Sequence, residues 1–244
     1  MTGVNRATAT VSTRGRFLEK YFYLFMSLLI PAIIVYGFSH TIDRNLIHPA
    51  IPRPRILYLH AVVFSGWVLF FILQSALVQT RNIAWHRRLG WYGAAHGTAI
   101  PLVGIATAII MTRFDLVQLH QLQAPADLIV PLFDMLAFTT TFALAIYWRK
   151  RPEFHRRLML IASCALTAAA FGRFPPNVLR PELFYAGVDC LILLGVIRDW
   201  IICRRVHSVY LYALPAFAIG QAIVTYTDIH ALPFWLKIAN ALVR

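Results

Sequence analysis

The chain has 244 residues, of which 59% are hydrophobic and only 14% are charged, and its mean hydropathy is +0.64. A soluble domain usually has about a quarter charged residues, so this chain has too few polar residues to cover a soluble fold. The formal net charge is +13, but the basic residues lie in short segments between apolar blocks. That distribution argues against a nucleic-acid-binding domain, which needs a clustered basic face. The composition predicts an integral membrane protein.

Seven apolar blocks follow one another along the chain. A transmembrane helix needs roughly 20 apolar residues. The fifth block is the weakest, because its uninterrupted apolar run covers only residues 158–171. It spans only if Arg156, Arg157 and Arg173 extend their charged ends towards the membrane surfaces. The pattern predicts an all-α polytopic transmembrane bundle of seven helices, at residues 21–39, 57–79, 91–112, 128–148, 156–173, 183–203 and 208–226.

The distribution of Lys and Arg predicts the orientation of these helices. The N-terminal segment carries four of them and the segment after the second helix carries three. Five follow the fourth helix, with Arg156 and Arg157 at the start of the next helix counted, and three follow the sixth, with Arg198 near its end counted. The remaining eight of 23 lie on the other side. Cytoplasmic segments carry the excess of positive charge, so we expect residues 1–20 in the cytoplasm and residues 227–244 outside. Phe234, Trp235 and Leu236 indicate an interfacial C-terminal segment. The expected location is the inner (plasma) membrane of the cell.

A five-residue motif occurs twice. WHRRL at residues 85–89 returns as FHRRL at residues 154–158, each time just before or at the start of an apolar block. A looser version precedes the last helix at residues 204–207. Either the match is a coincidence or the helices at 57–112 and 128–173 are parallel hairpin repeats, an arrangement known in membrane folds. The equivalent positions of the two copies favour duplication.

Polar residues inside the apolar blocks point to a first candidate site. Ionisable groups within a bilayer are costly and suggest function. Five such residues share the outer half of the membrane on five different helices: His60, Asp134, Arg173, Asp189 and Gln221. One interpretation is structural, with Arg173 paired to one acid and the other acid protonated or hydrogen-bonded. The other is a binding site for a cation, a proton or a polar headgroup, as in a transporter or a lipid- or small-molecule-binding protein.

Histidines at the cytoplasmic side point to a second candidate site. Two histidines facing each other from neighbouring helices ligate heme, with basic residues nearby for the propionates. His96 and His155 meet the depth requirement approximately, and Arg87 and Arg156 are among the basic residues that flank them. This pattern allows a single heme b. The alternative interpretation is that the repeated HRR motifs contact anionic lipid headgroups.

Other signatures of chemistry do not occur in the sequence. It has no HExxH motif, no phosphate-binding glycine loop, no CxxC motif and no nucleophile turn with a Ser/His/Asp order. The three cysteines, Cys164, Cys190 and Cys203, all lie in apolar blocks and act as small hydrophobic residues. We therefore favour a non-enzymatic role.

Several features resemble known membrane proteins. His60, the spacing of Trp67 and Gln74, HRRLGWYG at residues 86–93 and RKRPEFHRRLML at residues 149–160 resemble a group of uncharacterised bacterial multi-span membrane proteins, over almost half of the chain. The histidines at helix ends more distantly resemble transmembrane b-type cytochromes and proteins that assist respiratory oxidase assembly. The second resemblance implies a role linked to respiratory or redox complexes, either with bound heme or as an accessory subunit of a larger membrane complex.

Overall fold

The computed structural model describes residues 13–244, with side chains from residue 18 onward. The first twelve residues of the predicted N-terminal segment lie outside the described part. The chain is 81% helical, and no strand occurs among the described residues. The all-α class predicted from composition is therefore confirmed.

The described chain contains ten α-helices, joined in places by shorter helical turns. A π-helical turn covers Asp43–Ile47, and a 3-10 turn covers Pro181–Leu183. The α-helices are α1 Thr13–Ser39, α2 Arg55–Gln79, α3 Ile83–Val117, α4 Ala124–Asp127, α5 Ile129–Tyr147, α6 Pro152–Ala165, α7 Ala168–Phe171, α8 Phe184–Cys203, α9 Ser208–Ile229 and α10 Pro233–Val243.

Five segments are long and apolar enough to cross a membrane. They are Leu18–Ser39, Arg55–Gln79, Ile83–Val117, Ala124–Tyr147 and Ser208–Ile229. Each has 22 or more residues, and a bilayer core needs about 20. The chain is therefore a membrane protein with several transmembrane helices. The helix α8 has 20 residues, but it carries three charged residues, which are Asp189, Arg198 and Asp199.

The fifth predicted span, at residues 156–173, is a broken helix inside the protein. The helix α6 ends at Ala165 and α7 resumes at Ala168, while the Thr167 hydroxyl donates a hydrogen bond to the Cys164 carbonyl at 2.6 Å. Leu160, Ile161 and Cys164 are fully buried. Because neighbouring helices cover this segment, its apolar run can be shorter than a lipid-exposed helix requires. Irregular backbone is tolerated at such depth only where protein or water surrounds it.

The hairpin α2–α3 packs against the hairpin formed by α5 and α6. Glycines of α3 make the close approach possible, because a Cβ on Gly97 would lie 2.3 Å from the Phe142 ring of α5. Small residues at helix interfaces are the usual way for membrane helices to pack closely. The helix α1 lies across α2, α6, α7 and α8, and α9 packs on α5 and α8.

The C-terminal helix α10 packs on α3 and α4. The Trp235 indole nitrogen donates a hydrogen bond to the Ala126 carbonyl at 3.0 Å. Trp235, Ala239 and Val243 are buried, whereas Phe234 and Ile238 are exposed. This amphipathic helix therefore anchors the end of the chain to the bundle through one face.

The HRRL motifs and a group of exposed aromatic side chains mark one end of the bundle. Both HRRL motifs lie at one end, which we call the repeat end, where α3 and α6 begin. Large aromatic side chains are exposed there: Trp85, Trp91, Tyr147 and Trp200. Exposed tryptophan and tyrosine concentrate at the level of lipid headgroups. The other end, which we call the opposite end, carries α4, the start of α8 and α10.

Candidate functional site

A shallow groove lies between α8 and α9 near the opposite end. It has a volume of about 440 Å³ and is lined by Tyr185, Asp189, Gln221, Tyr226 and His230, among others. The Gln221 side-chain amide donates a hydrogen bond to an Asp189 carboxylate oxygen at 3.0 Å. Two of the residues predicted for the outer-half site, Asp189 and Gln221, are thus in direct contact and face the same groove.

Asp134 is connected to this groove through Tyr185. The Asp134 side chain on α5 is buried, with 9% of its surface exposed, and its carboxylate accepts a hydrogen bond from the Tyr185 hydroxyl at 3.1 Å. Tyr185 is itself a wall residue of the groove. The groove region therefore contains both predicted acids, one on its wall and one behind it.

His60 and Arg173 lie apart from the two acids. The Arg173 guanidinium lies over the Phe38 ring of α1, 4.5 Å from its centre, and donates a hydrogen bond to the Ala169 carbonyl. His60 stacks on Phe64 with ring centres 3.9 Å apart, and its buried Nδ1 has no partner. Of the five predicted residues, the structure thus brings Asp134, Asp189 and Gln221 together at the groove.

Neither acid of the groove region has a cationic partner. The ion pairs formed by residues 18–244 include neither Asp134 nor Asp189. Each of these carboxylates accepts a hydrogen bond from a neutral group instead. Tyr185 donates to Asp134, and Gln221 donates to Asp189. An ionised carboxylate at membrane depth needs a counter-charge or a proton. Two carboxylates without a counter-ion are therefore gathered at this groove.

At the repeat end, the two HRRL motifs meet through their histidines. The rings of His86 and His155 lie 6.4 Å apart, centre to centre, with an interplanar angle of 74°. His155 Nδ1 donates a hydrogen bond to the Ala145 carbonyl at 2.9 Å, because a carbonyl can only accept. This assignment leaves Nε2 of His155 with a free lone pair. The buried Nδ1 of His86 has no partner.

His96, the predicted partner of His155, contacts other groups. Its Nε2 donates a hydrogen bond to the Val63 carbonyl of α2 at 2.8 Å, and its ring contacts are with Trp67 and Tyr92. The basic residues predicted for the same site are separated as well. Arg87 is exposed, whereas the Arg156 guanidinium lies 5.4 Å from the centre of the Tyr23 ring.

Buried polar atoms without partners continue along the interior face of α2. Both amide atoms of Gln74 and the indole nitrogen of Trp67 are buried and have no hydrogen-bond partner. The Gln74 backbone lies close to the His86 ring. Buried polar groups are nearly always satisfied by protein, water or a ligand, so these unpartnered atoms are unusual features of the interior.

Sequence reasoning missed a buried charge network at the repeat end. Asp199 accepts two hydrogen bonds from Arg157, at 2.7 and 2.8 Å, and one from Arg198, at 2.8 Å. Arg198 was assigned from the sequence to the segment after the sixth helix, but it lies within α8 and is 1% exposed. Arg157 pairs with this carboxylate and does not extend towards water. The adjacent Arg198 and Asp199 inside an apolar block were the available signal.

No family model, curated protein or solved structure matches this chain. Among residues 13–244 there is also no group of three or more His, Cys, Asp or Glu side chains able to hold a metal ion. The candidate sites therefore rest on their own geometry, namely the groove with its two carboxylates and the histidine pair of the repeat end.

Proposed function

We propose that this chain is a non-enzymatic protein of the inner membrane that binds a small organic cation in the groove between α8 and α9. In this proposal the bundle has seven membrane passages, with α6 and α7 together forming the fifth and α8 the sixth. The excess of Lys and Arg at the repeat end supports a cytoplasmic N-terminus and an external C-terminus. The groove then opens in the outer half of the membrane.

The Asp189 carboxylate carries this proposal. It lies on the groove wall, half-buried, and Gln221 is its hydrogen-bond partner. An organic cation would supply the missing positive charge, and it would keep the carboxylate ionised at a depth where an unpaired charge is costly. The groove volume of about 440 Å³ lies in the range of about 300–1,000 Å³ that is typical of small-molecule sites.

Aromatic rings on the groove wall favour an organic cation over a bare metal ion. Tyr185 and Tyr226 both line the groove, and aromatic rings attract ammonium groups through their electron-rich faces. Behind Tyr185, Asp134 accepts a hydrogen bond from its hydroxyl and so orients that ring. A ligand with one positive charge and an apolar body matches these walls. Such binding is compatible with a transporter, in which it precedes transport, and with a binding protein that does not transport its ligand.

The test uses benzyltrimethylammonium and its neutral isostere, neopentylbenzene, with the purified full-length protein in detergent. We expect the cation to raise the melting temperature in a saturable manner and neopentylbenzene to have no such effect. The substitution Asp189→Asn should weaken cation binding by about tenfold or more, because a hydrogen bond or contact to a charged group contributes about 1.5–3 kcal/mol.

The matched control is Glu182→Gln, which removes one negative charge from an exposed residue just before α8. It should leave the affinity for benzyltrimethylammonium within twofold of the unsubstituted protein. Equal binding of the cation and its neutral isostere would refute the proposal, as would unchanged binding in the Asp189→Asn protein.

The histidine pair favours a second candidate function, a redox protein with one heme b linked to respiratory complexes. In this second proposal His86 and His155 would hold the heme iron through one ring nitrogen each, as paired imidazoles do. Their ring centres lie 6.4 Å apart, and the His155 Nδ1 contact to a backbone carbonyl is the usual way to orient a ligating imidazole. Heme in this position would supply one-electron transfer.

An absorbance spectrum of the protein, extracted in mild detergent from heme-replete cells, tests this second candidate. We expect a Soret band that is lost in the His86→Ala and His155→Ala proteins. The His96→Ala protein should retain it, because His96 bonds to Val63 and does not face the pair. A colourless preparation would refute heme binding and leave the groove proposal untouched.

A further inference from the structure

The charge network of the repeat end contains more positive than negative charge. Arg157 and Arg198 share the single carboxylate of Asp199, and all three side chains are at most 3% exposed. Arg156 adds a third guanidinium beside them. A buried charge is costly unless it is paired. One carboxylate therefore leaves this region with an excess of buried positive charge.

Four hydrogen-bond donors of the same region are buried without an acceptor. They are the hydroxyls of Tyr23 and Tyr210 and the Nε atoms of Arg156 and Arg198. Arg198 and Tyr210 are each only 1% exposed, so ordinary exposure to water does not satisfy them. A group that accepts several hydrogen bonds would satisfy several of these donors together.

The donors converge on Tyr23 of α1. The guanidinium of Arg156 lies 5.4 Å from the centre of the Tyr23 ring, and that of Arg198 lies 5.5 Å from it. Arg157 and Asp199 also lie within electrostatic reach of Tyr23. Side chains from α1, α6 and α8 thus lie together at Tyr23. Arginine is the side chain best suited to bind the oxygens of phosphate or carboxylate.

The depth of this point matches the headgroup region of a membrane. Trp200, which follows Asp199 directly, is 57% exposed, and exposed tryptophan belongs at the membrane–water interface. Ile197 and Ile201 of the same turns of α8 are exposed too and provide an apolar, lipid-facing surface. A lipid whose chains lie along α8 would therefore bring its headgroup to the level of the arginines.

We propose that Tyr23, Arg156 and Arg198 form a binding site for a phosphate anion, presented by the headgroup of an anionic phospholipid or by a soluble phosphate. The phosphate oxygens accept hydrogen bonds from the Tyr23 hydroxyl and from the Nε atoms of the two arginines. They also neutralise the positive charge that Asp199 leaves uncompensated. This site is independent of the groove between α8 and α9, since it lies at the repeat end.

The two copies of the HRRL motif supply a matched control. Arg156 and Arg87 occupy the same position in their motifs, but Arg87 is exposed. The substitutions Arg156→Gln and Arg87→Gln therefore remove the same charge from equivalent positions, one inside the proposed site and one outside it. Tyr23→Phe removes a single hydroxyl and leaves the contacts of Arg157 and Arg198 with Asp199 in place.

The test measures melting temperature and bound lipid, by native mass spectrometry, for the full-length protein in detergent. Phosphatidylglycerol, phosphatidylcholine and inorganic phosphate are added separately. We expect saturable stabilisation by phosphatidylglycerol or by inorganic phosphate and weaker stabilisation by phosphatidylcholine, whose headgroup is neutral overall. Arg156→Gln and Tyr23→Phe should each weaken this binding by about tenfold, the value of a hydrogen bond to a charged group. Arg87→Gln should change it less than twofold.

The pattern of results identifies the source of the phosphate. Stabilisation by phosphatidylglycerol alone assigns the site to a lipid headgroup, and stabilisation by millimolar inorganic phosphate assigns it to a soluble anion. Equal effects of phosphatidylcholine and phosphatidylglycerol would overturn the proposal. Equal losses in the Arg87→Gln and Arg156→Gln proteins would also overturn it, because binding would then depend on surface charge. A Tyr23→Phe protein that elutes as a folded species but binds normally would do the same.

Discussion

The two copies of the HRRL motif have nearly the same sequence and very different surroundings. In the first copy, at residues 85–89, both arginines are exposed, and Trp85 is 51% exposed. In the second copy, at residues 154–158, Arg157 is 3% exposed and Leu158 is 4% exposed. The histidines are the point at which the copies meet, with ring centres 6.4 Å apart.

The difference arises from the helices that cover each copy. The second copy begins α6, which packs against α1, α8 and α9. These helices bring Asp199 to Arg157 and Tyr23 to Arg156. The arginines of the first copy have no such cover, and Arg88 lies over the ring of its own neighbour Trp85. The two motifs share the residues HRRL, but the helices packed around each copy determine whether its arginines lie at the surface or in a buried network.

The largest expected difference between the copies concerns the second arginine of each. Arg157→Gln removes two hydrogen bonds to a buried carboxylate, and breaking a buried ion pair costs about 3–5 kcal/mol. We expect the lower end of that range, because Arg198 still pairs with Asp199. Arg88→Gln should change the free energy of unfolding by less than about 0.5 kcal/mol, as surface substitutions do. Unfolding in mixed detergent–SDS micelles measures both values. Similar losses would mean that Arg157 is not part of a buried network.

The leucines that end the two motifs should show a smaller difference. Leu158→Ala leaves a cavity in the core, and such substitutions cost about 2–5 kcal/mol in soluble proteins. Since lipid is as apolar as a protein core, packing is the main term here, and we expect a loss of about 2 kcal/mol. Leu89 is half-buried, so Leu89→Ala should cost less than half as much in the same assay. A larger loss of stability in the Leu89→Ala protein than in the Leu158→Ala protein would contradict the greater burial of the second copy.

The smallest effect concerns pH and involves His207, which lies outside the spanning segments and contacts only the second copy, through Phe154 at 4.7 Å. Burial, and then the positive charge of Arg157, lower the pKa of His207 below its ordinary value of 6.5. The unfolded chain therefore takes up the proton first as the pH falls. The contribution of His207 to stability is complete above pH 6.5 and is lost as the pH falls through its folded pKa.

The substitution His207→Asn isolates this effect. The His207 side chain accepts a hydrogen bond from the Val209 backbone nitrogen at the start of α9, and asparagine is equally suited to that capping position. The substituted protein should therefore remain folded and lose less stability than the unsubstituted protein between pH 7 and pH 5. Melting curves across this range measure the difference, and parallel curves for the two proteins would exclude His207 as a source of pH dependence.

The candidate sites show where sequence reasoning reached its limit. The contact between Asp189 and Gln221 joins α8 to α9, and both residues were selected because polar groups are rare inside apolar blocks. The choice of His96 as a partner for His155 rested on depth alone. Depth does not specify which face of a helix meets which neighbour, and in the folded chain His86 is the histidine that contacts His155.

The sequence by itself determined that this chain is helical and lies in a membrane, because runs of about 20 apolar residues have no other stable arrangement. It also determined which residues are costly to bury. The tertiary structure decided how those costs are met. Asp199 is neutralised by an arginine 42 positions away, whereas Asp134 has no cationic partner. The fifth apolar block forms a broken helix that neighbouring helices cover. Side-chain pairing depends on how each helix is rotated and packed against its neighbours. Because apolar residues lie on every face of these helices, the sequence does not specify that rotation.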